Sequence, residues 1–427
     1  MQTIKYPKKT DWAQLLARPT FDNSALTETV QTVLNDVKMH GDKAVKEYGL
    51  KFDKVQVSDL QVSENEMADA GRWVSEELKS AIALAKNNIE KSHAAQHHEL
   101  PKVETMPGVI CWQKAVAIEK VGLYIPGGTA PLFSTVLMLA VPAKIAGCKE
   151  IVLCSPPNRG GNIHPAVLYA AQISGVTKIY KIGGIQAIGA MAYGTETVPK
   201  VYKIFGPGNQ YVTAAKQLVS LKDAAIDMPA GPSEVEVIAD ETANPTFVTA
   251  DLLSQAEHGV DSQAILITTN EAFANQVIEQ VNIQVEQLPR ADLAKKALEH
   301  SKIIIVKNVN EAIDITNEYA PEHLIISTRD YHEIAGKITN AGSIFLGHLT
   351  PESAGDYASG TNHTLPTNGY AKAYSGVNLD SFVKKITFQE LTKEGLQNIG
   401  DAVEIMAENE MLVAHGNAVG LRRRQYN

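Results

Sequence analysis

Two adjacent titratable residues, Glu322 and His323, lie where a charged segment gives way to an apolar run, in NEYAPEHLIIS (317–327). Pro321 disfavours helical backbone for the residue before it, so the helical pattern of VNEAIDITNEY should end here. The run LIIS that follows is typical of a short buried strand. A carboxylate beside an imidazole can move protons near neutral pH. The same pair could instead close a loop and face solvent, and their spacing leaves both interpretations open.

A second group of residues has the side chains of a metal site. The segment NPTFVTADLLSQAEHG (244–259) predicts a helix that Asn244 caps and that ends at Gly259. Gln255 and His258 are three residues apart, so they share a face of its last turn. An equally simple interpretation is that His258 complements the dipole at the helix C-terminus.

Further metal or substrate candidates come from two later segments. Asp356 and His363 lie in PESAGDYASGTNHTLPT, which reads as a polar loop that would have to fold over a site to be functional. His415 lies on an apolar helical stripe near the C-terminus, where a histidine often only packs. The sequence contains neither H-E-x-x-H nor C-x-x-C, so spacing alone does not establish zinc.

Three glycine-rich turns could hold a phosphate-bearing ligand. They are YIPGGTAPLFS (124–134), IGGIQAIGA (182–190) and IFGPGNQYV (204–212). Each follows an apolar run and opens a helix, whose first N–H groups lack partners inside the helix. None is a complete G-x-G-x-x-G, since Tyr211 stands where the third glycine of GPGNQY would be. A dinucleotide site of non-standard form and three plain tight turns both fit.

The elements that must position these residues alternate along the chain. Buried strands are predicted at 150–154, 177–182, 201–205, 234–239, 264–268 and 302–306, with helical segments between most of them. Such alternation predicts an α/β fold with two doubly wound parallel sheets. The first hundred residues read as helical and charged, with one apolar stripe formed by Leu26, Val30, Val33, Leu34 and Val37. After residue 386 we expect helix to the end of the chain, packed elsewhere, such as on a second subunit.

Composition narrows the class of protein. The 427 residues are 44% hydrophobic and 20% charged, which are ordinary globular values. A formal net charge of -9 argues against a general nucleic-acid binder, and no stretch is long and apolar enough for a membrane span. Cys111, Cys148 and Cys154 follow no metal or disulfide spacing, as expected of buried thiols in a reducing compartment. A soluble cytoplasmic protein is the expectation.

Several motifs together resemble histidinol dehydrogenase, in chain order from about residue 105 to the C-terminus. They are VGLYIPGGTAPLFSTVLMLAVPAKIAG, KIFGPGN, MPAGPSEV, DLLSQAEHG, YAPEHL, SAGDYASGTNHTLPT and AHGNAV. The resemblance implies an NAD-dependent enzyme with one zinc per subunit that oxidises L-histidinol through L-histidinal to L-histidine. It also implies an intertwined homodimer with two incomplete Rossmann-like domains, similar in fold to aldehyde dehydrogenases, and helical N-terminal and C-terminal extensions.

The resemblance also implies roles for individual residues of this sequence. Glu322 and His323 are the expected catalytic pair, with His323 as general base and Glu322 activating water for the aldehyde step. The expected zinc ligands are Gln255, His258, Asp356 and His415, the last from the partner subunit. The expected substrate contacts are Ser233, Gln255, His258, His323, Asp356, His363, Glu410 and His415. The expected NAD contacts, one in each glycine turn, are Tyr124, Gln186 and Asn209.

The implied domain borders divide the chain into four parts. An N-terminal arm covers 1–22, a discontinuous first α/β domain covers 23–120 and 235–380, and a second, NAD-side domain covers 121–234. A helical tail, 381–427, is expected to reach the partner subunit.

Three rival functions are less consistent with the sequence. A thiol-dependent aldehyde dehydrogenase needs an activated cysteine, and none of the three has an evident activating partner. A zinc hydrolase could use the same ligands and Glu322, but it would not need the glycine turns. A non-enzymatic binding protein would hardly retain the catalytic pair together with all four metal positions.

Overall fold

The computed structural model describes residues 1–19, 24–127, 131–229 and 231–426. The predicted border at 22/23 and the centre of the first glycine turn therefore lie outside the described residues. The strands are Gln2–Lys5 (β1), Val103–Met106 (β2), Val109–Ala117 (β3), Lys120–Tyr124 (β4), Glu150–Ser155 (β5), Lys178–Lys181 (β6), Lys203–Phe205 (β7), Ala225–Ile226 (β8), Glu234–Ala239 (β9), Gln263–Thr268 (β10), Lys302–Ile305 (β11), His323–Ser327 (β12), Ser343–Leu346 (β13) and Val383–Leu391 (β14).

The α-helices connect and cover these strands. They are Trp12–Leu15 (α1), Ser24–Tyr48 (α2), Glu64–Ala70 (α3), Glu76–Ala94 (α4), Phe133–Ala146 (α5), Pro165–Ser174 (α6), Gly184–Tyr193 (α7), Gln210–Ser220 (α8), Pro245–Ala256 (α9), Glu271–Gln284 (α10), Ala291–His300 (α11), Val309–Tyr319 (α12), Tyr331–Ala335 (α13), Glu352–Tyr357 (α14), Lys393–Asn409 (α15) and Val413–Tyr426 (α16). Among the helices in the described ranges, none combines the length and apolar character that crossing a membrane requires.

Two fully parallel sheets carry the α/β architecture, as predicted. One has six strands in the order β1-β11-β10-β9-β12-β13, and the other has five in the order β6-β5-β4-β7-β8. All six residues of β9 and of β10 are buried, because helices cover both faces of such a sheet. The five-strand order is the Rossmann-like order 3-2-1-4-5, with β4 as its first strand and the order reversing between β4 and β7.

Helix α2 packs against α7 and α8, which belong to the five-stranded layer. Val30, Val33, Leu34 and Val37 are each 0–2% exposed in that core. The apolar stripe of α2 therefore contributes to the core of the five-stranded layer, and the expected grouping of residues 23–120 with 235–380 stays a prediction. Both sheets belong to one compact unit, residues 1–95 with 119–382, so the border between two α/β domains stays a prediction.

A second unit comprises residues 96–118 and 383–427. Its sheet is antiparallel, in the order β14-β3-β2, and α15 packs on α16. The expectation of helix without another strand after residue 386 was wrong. The segment VKKITFQEL forms β14 because all nine of its residues find antiparallel partners in β3.

Candidate active site

The pair Glu322 and His323 stands at the entrance to β12. Helix α12 ends at Tyr319, and Ala320 has the left-handed backbone (φ 54°) that stops a helix before a proline. His323 is then the first residue of β12, between β9 and β13 and level with Val235 of β9. The predicted end of the helix and the predicted buried strand are therefore confirmed, and the pair is held inside the protein.

Glu322 is buried and anchored to the backbone of β9. Its carboxylate accepts a hydrogen bond of 2.9 Å from the N–H of Glu234. Burial raises the pKa of Glu322 to about 7, although the neighbouring His323 acts in the opposite direction. A carboxylate with such a pKa can accept a proton near neutral pH.

His323 is buried beside three carboxyl groups. Its Nδ1 lies 3.1 Å from the carbonyl oxygen of Glu234. Its Nε2 has no hydrogen-bond partner and lies 3.6 Å from the carboxylate of Asp356. Burial lowers the pKa of His323, but attraction by Glu352, Glu322 and Asp356 outweighs burial and raises it well above its ordinary value. The excess of negative charge here would also suit a bound cation.

Asp356 lies on the short helix α14 and not in the predicted loop. The helix also places Glu352, 1% exposed, on the same side, because residues four apart share a face. His323, Glu352 and Asp356 each bring one ligand atom within 4.8 Å of the others, a geometry that could hold a metal ion. Glu352 was missed from the sequence, since the glycine and serine of PESAGDY indicated a loop. Its i, i+4 spacing to Asp356 was the available signal.

Gln255 is the most unusual of the proposed ligands. It lies in the last turn of α9, fully buried, and neither its amide oxygen nor its amide nitrogen has a hydrogen-bond partner. A buried polar group without a partner costs about 1–3 kcal/mol, so this amide is suited to bind a ligand. Asn244 caps the helix as predicted, with a 2.9 Å bond from Thr246 N–H.

The other predicted residues of this unit lie around the same region. His258 follows α9, is exposed, and interacts electrostatically with Asp356 and His323. His363 is half-buried, with its Nε2 3.0 Å from Thr135 Oγ1 and its Nδ1 2.9 Å from the carbonyl oxygen of Asp356. Ser233 is half-buried and directly precedes β9.

Two predicted residues, Glu410 and His415, belong to the second unit. Glu410 ends α15 and His415 lies in the first turn of α16, and both are exposed. Their assignment to the site rests on the family resemblance and stays a prediction.

Two of the three predicted NAD residues line a cavity of about 1050 Å³ at the carboxyl ends of the five-stranded sheet. Tyr124 and Asn209 line it, and Asn209 also caps α8 by accepting bonds from two N–H groups of its first turn. Tyr124 is buried, which raises its pKa to about 12, and its hydroxyl accepts a 3.1 Å bond from Gly184 N–H. Gln186 is fully buried behind Gly184, and its amide oxygen has no hydrogen-bond partner.

Comparison with known proteins gives the family. The family described as histidinol dehydrogenase matches residues 16–423. A histidinol dehydrogenase of Bacteroides thetaiotaomicron is 68% identical over 422 residues, 99% of each chain. That of Escherichia coli strain K12 is 55% identical over 412 residues, covering 96% of this chain and 94% of its own. The crystal structure of histidinol dehydrogenase from Elizabethkingia anophelis is 56% identical, has a TM-score of 0.98, and is matched over 100% of this chain and 98% of that chain. The chain therefore belongs to the histidinol dehydrogenase family, a family of oxidoreductases of histidine biosynthesis.

Proposed function

We propose that this chain is a zinc-dependent, NAD-linked enzyme that oxidises L-histidinol through L-histidinal to L-histidine. The observation that carries the proposal is the buried pair Glu322 and His323 beside Asp356. Two successive oxidations at one carbon need a base for the hydroxyl proton and a base for water, and His323 and Glu322 are two adjacent buried groups that can supply them. Family membership supports the choice of substrate.

His323 is proposed to act as the general base of the alcohol step. Its Nδ1–H donates to the carbonyl oxygen of Glu234, which leaves Nε2, the nitrogen without a partner, to take the hydroxyl proton when a bound cation offsets the carboxylates that raise the pKa of His323. NAD, when bound, would accept the hydride from the carbon that bears this hydroxyl group. The fixed Nδ1 contact keeps the imidazole in one tautomer and one orientation.

Glu322 is proposed to serve the aldehyde step. Oxidation of an aldehyde needs water added to the carbonyl first, because the hydrate again has a C–H bond that can release hydride. Burial raises the pKa of Glu322 to about 7, which makes this carboxylate a better base for water than an ordinary glutamate. The overall balance is one alcohol, one water and two NAD consumed per histidine formed.

The proposed zinc ligands are Gln255, His258, Asp356 and the His415 of a second subunit. The partnerless amide of Gln255 and the charge of Asp356 fit a divalent cation that binds oxygen and nitrogen. Zinc, when bound, would orient the substrate's nitrogen atoms and reduce the negative potential around His323. In the same proposal Ser233, His363 and Glu410 contact substrate.

NAD is proposed to bind in the cavity lined by Tyr124 and Asn209, next to Gln186. The cavity lies at the point where the strand order reverses, which is the usual ligand site of an open parallel sheet. A homodimer and a cytoplasmic location complete the proposal. Free cysteines at positions 111, 148 and 154 suit a reducing compartment.

The test combines activity with metal content. Wild-type protein should reduce NAD when L-histidinol is added, lose that activity with its zinc in a chelator, and regain both when zinc is restored. Gln255→Ala should lower both zinc content and activity, whereas Gln276→Ala, at an exposed position of α10, should change neither. Full activity in zinc-free protein would reject the metal role, and no NADH from folded, zinc-loaded protein would reject the function.

A further inference from the structure

Asp53 brings a carboxyl group to the cavity from outside the sheet. It ends the segment Gly49–Asp53, which follows α2, and it lines the cavity together with Tyr124 and Pro156. A Cβ atom placed on Gly183 would lie 2.5 Å from the Pro156 ring and 3.3 Å from the Asp53 carboxylate. Asp53 therefore lies beside the ends of both β5 and β6.

This position matters because of the strand order. Where a doubly wound sheet binds a dinucleotide, an acidic residue after the second strand hydrogen-bonds the ribose 2′-hydroxyl of the adenosine half. Counted from β4, the second strand is β5, and the residues that follow its last residue, Ser155, are Pro156, Pro157 and Asn158. The sheet itself offers no carboxylate here, and Asp53 lies at the same place.

The Asp53 carboxylate also has unused hydrogen-bonding capacity. Gln186 Nε2 donates a long hydrogen bond of 3.4 Å to the Asp53 carboxylate, while Gln186 Oε1 has no hydrogen-bond partner. Burial raises the pKa of Asp53 to about 6. A half-buried carboxylate with one weak donor is stabilised by any ligand that supplies a hydroxyl group.

We infer that Asp53 is a specificity-determining residue of the cofactor site, accepting a hydrogen bond from the adenosine ribose of NAD and rejecting the 2′-phosphate of NADP. The inference rests on the proposed NAD-linked function. The 2′-phosphate would bring about two negative charges against a half-buried carboxylate. Arg159 also lines the cavity and is the cation available to a 2′-phosphate once Asp53 is removed.

The test is a double-mutant cycle between Asp53 and the 2′-hydroxyl. We would measure kcat/KM for NAD, 2′-deoxy-NAD and NADP with wild type, Asp53→Ala and Asp53→Asn, with L-histidinol as substrate. Asp59→Asn, at an exposed position nearby in the chain, is the matched control. Wild type should lose about 10- to 100-fold on removal of the 2′-hydroxyl, the usual effect of deleting a hydrogen bond to a charged group.

Asp53→Ala should show a similar loss with NAD, no further loss with 2′-deoxy-NAD, and at least about a tenfold lower preference for NAD over NADP. Asp53→Asn keeps the side-chain shape and should lose preference against NADP while retaining much of its NAD activity. If the losses in kcat/KM from Asp53→Ala and from removal of the 2′-hydroxyl simply multiply, the two groups do not interact and the proposed hydrogen bond is rejected. An unchanged NAD-to-NADP ratio in a variant that melts like wild type would overturn the specificity role. Absence of NAD reduction by wild type would instead reject the proposed function, and the inference with it.

Discussion

One residue of β9, Glu234, contacts both members of the proposed catalytic pair. The N–H of Glu234 donates a hydrogen bond to the Glu322 carboxylate, and the carbonyl oxygen of Glu234 accepts one from Nδ1–H of His323. The side chain of Glu234 is itself held by Arg18 through two hydrogen bonds of 2.5 and 2.9 Å. Two titratable groups adjacent in the chain thereby receive fixed and different orientations, which is what two different proton transfers need.

A second buried carboxyl group on β9, that of Glu236, gives a prediction about stability. Glu236 is 0% exposed, its Oε1 accepts from Thr316, its Oε2 has no partner, and burial raises its pKa to about 8. An unfolded glutamate has a pKa of about 4.3. Between these two values the folded state holds a proton that the unfolded state releases, so unfolding becomes easier as pH rises.

Glu236→Gln should therefore remove a pH-dependent loss of stability. Relative to wild type, the variant should gain up to about 1.4 kcal/mol per pH unit between roughly pH 5 and 8. Thermal unfolding at pH 5, 6.5 and 8 measures this, with Glu279→Gln at an exposed position of α10 as control. Parallel pH profiles for the variant and wild type would show that the carboxyl group is not buried as described.

Local sequence patterns correctly predict the helices and strands whose formation depends on neighbouring residues. The β-branched run EVEVIA predicted β9 at 234–239, and Pro321 correctly marked the end of α12. Strand β14 was missed because its charged, exposed residues find their partner β3 some 270 positions earlier in the chain. Glu234 and Asp53 were missed for the same reason, since their roles follow from long-range contacts that no local pattern contains. Glu352 was missed because PESAGDY indicated a loop where the structure has α14.

The packing of α2 on the five-stranded layer gives an element-scale prediction. Leu34 is 1% exposed in that core, so Leu34→Ala should lower the free energy of unfolding by about 2–5 kcal/mol. Leu84→Ala is the control, since Leu84 on α4 is 55% exposed and should cost less than about 0.5 kcal/mol. Urea unfolding compares the two, and equal small losses would contradict the described packing.

At the scale of the whole molecule, the proposed zinc ligands come from two separate units of the chain. Gln255, His258 and Asp356 belong to the first unit, and His415 belongs to the second. The proposal that a partner subunit supplies His415 makes the dimer part of the active site. Two variants defective in different units should then complement each other.

Mixing Gln255→Ala with His415→Ala subunits tests this arrangement. Each variant alone should be inactive, but a hybrid dimer has one site with both intact residues. Random mixing should restore about a quarter of wild-type activity, because half the dimers are hybrids with one good site of two. Subunit exchange after mild denaturation, followed by the NADH assay, measures the recovery. No recovery in a mixture shown to contain hybrids would mean that His415 serves its own chain or is not a ligand.

We propose that one site performs two successive oxidations with the adjacent residues Glu322 and His323. The most direct measurement is the number of NADH molecules formed per L-histidinol consumed, for wild type and Glu322→Gln. Wild type should form two NADH and L-histidine, whereas Glu322→Gln should form close to one and release aldehyde, because loss of a general base slows its step by about 10²–10⁴-fold. One NADH from the wild-type enzyme, or two at an undiminished rate from Glu322→Gln, would contradict the account.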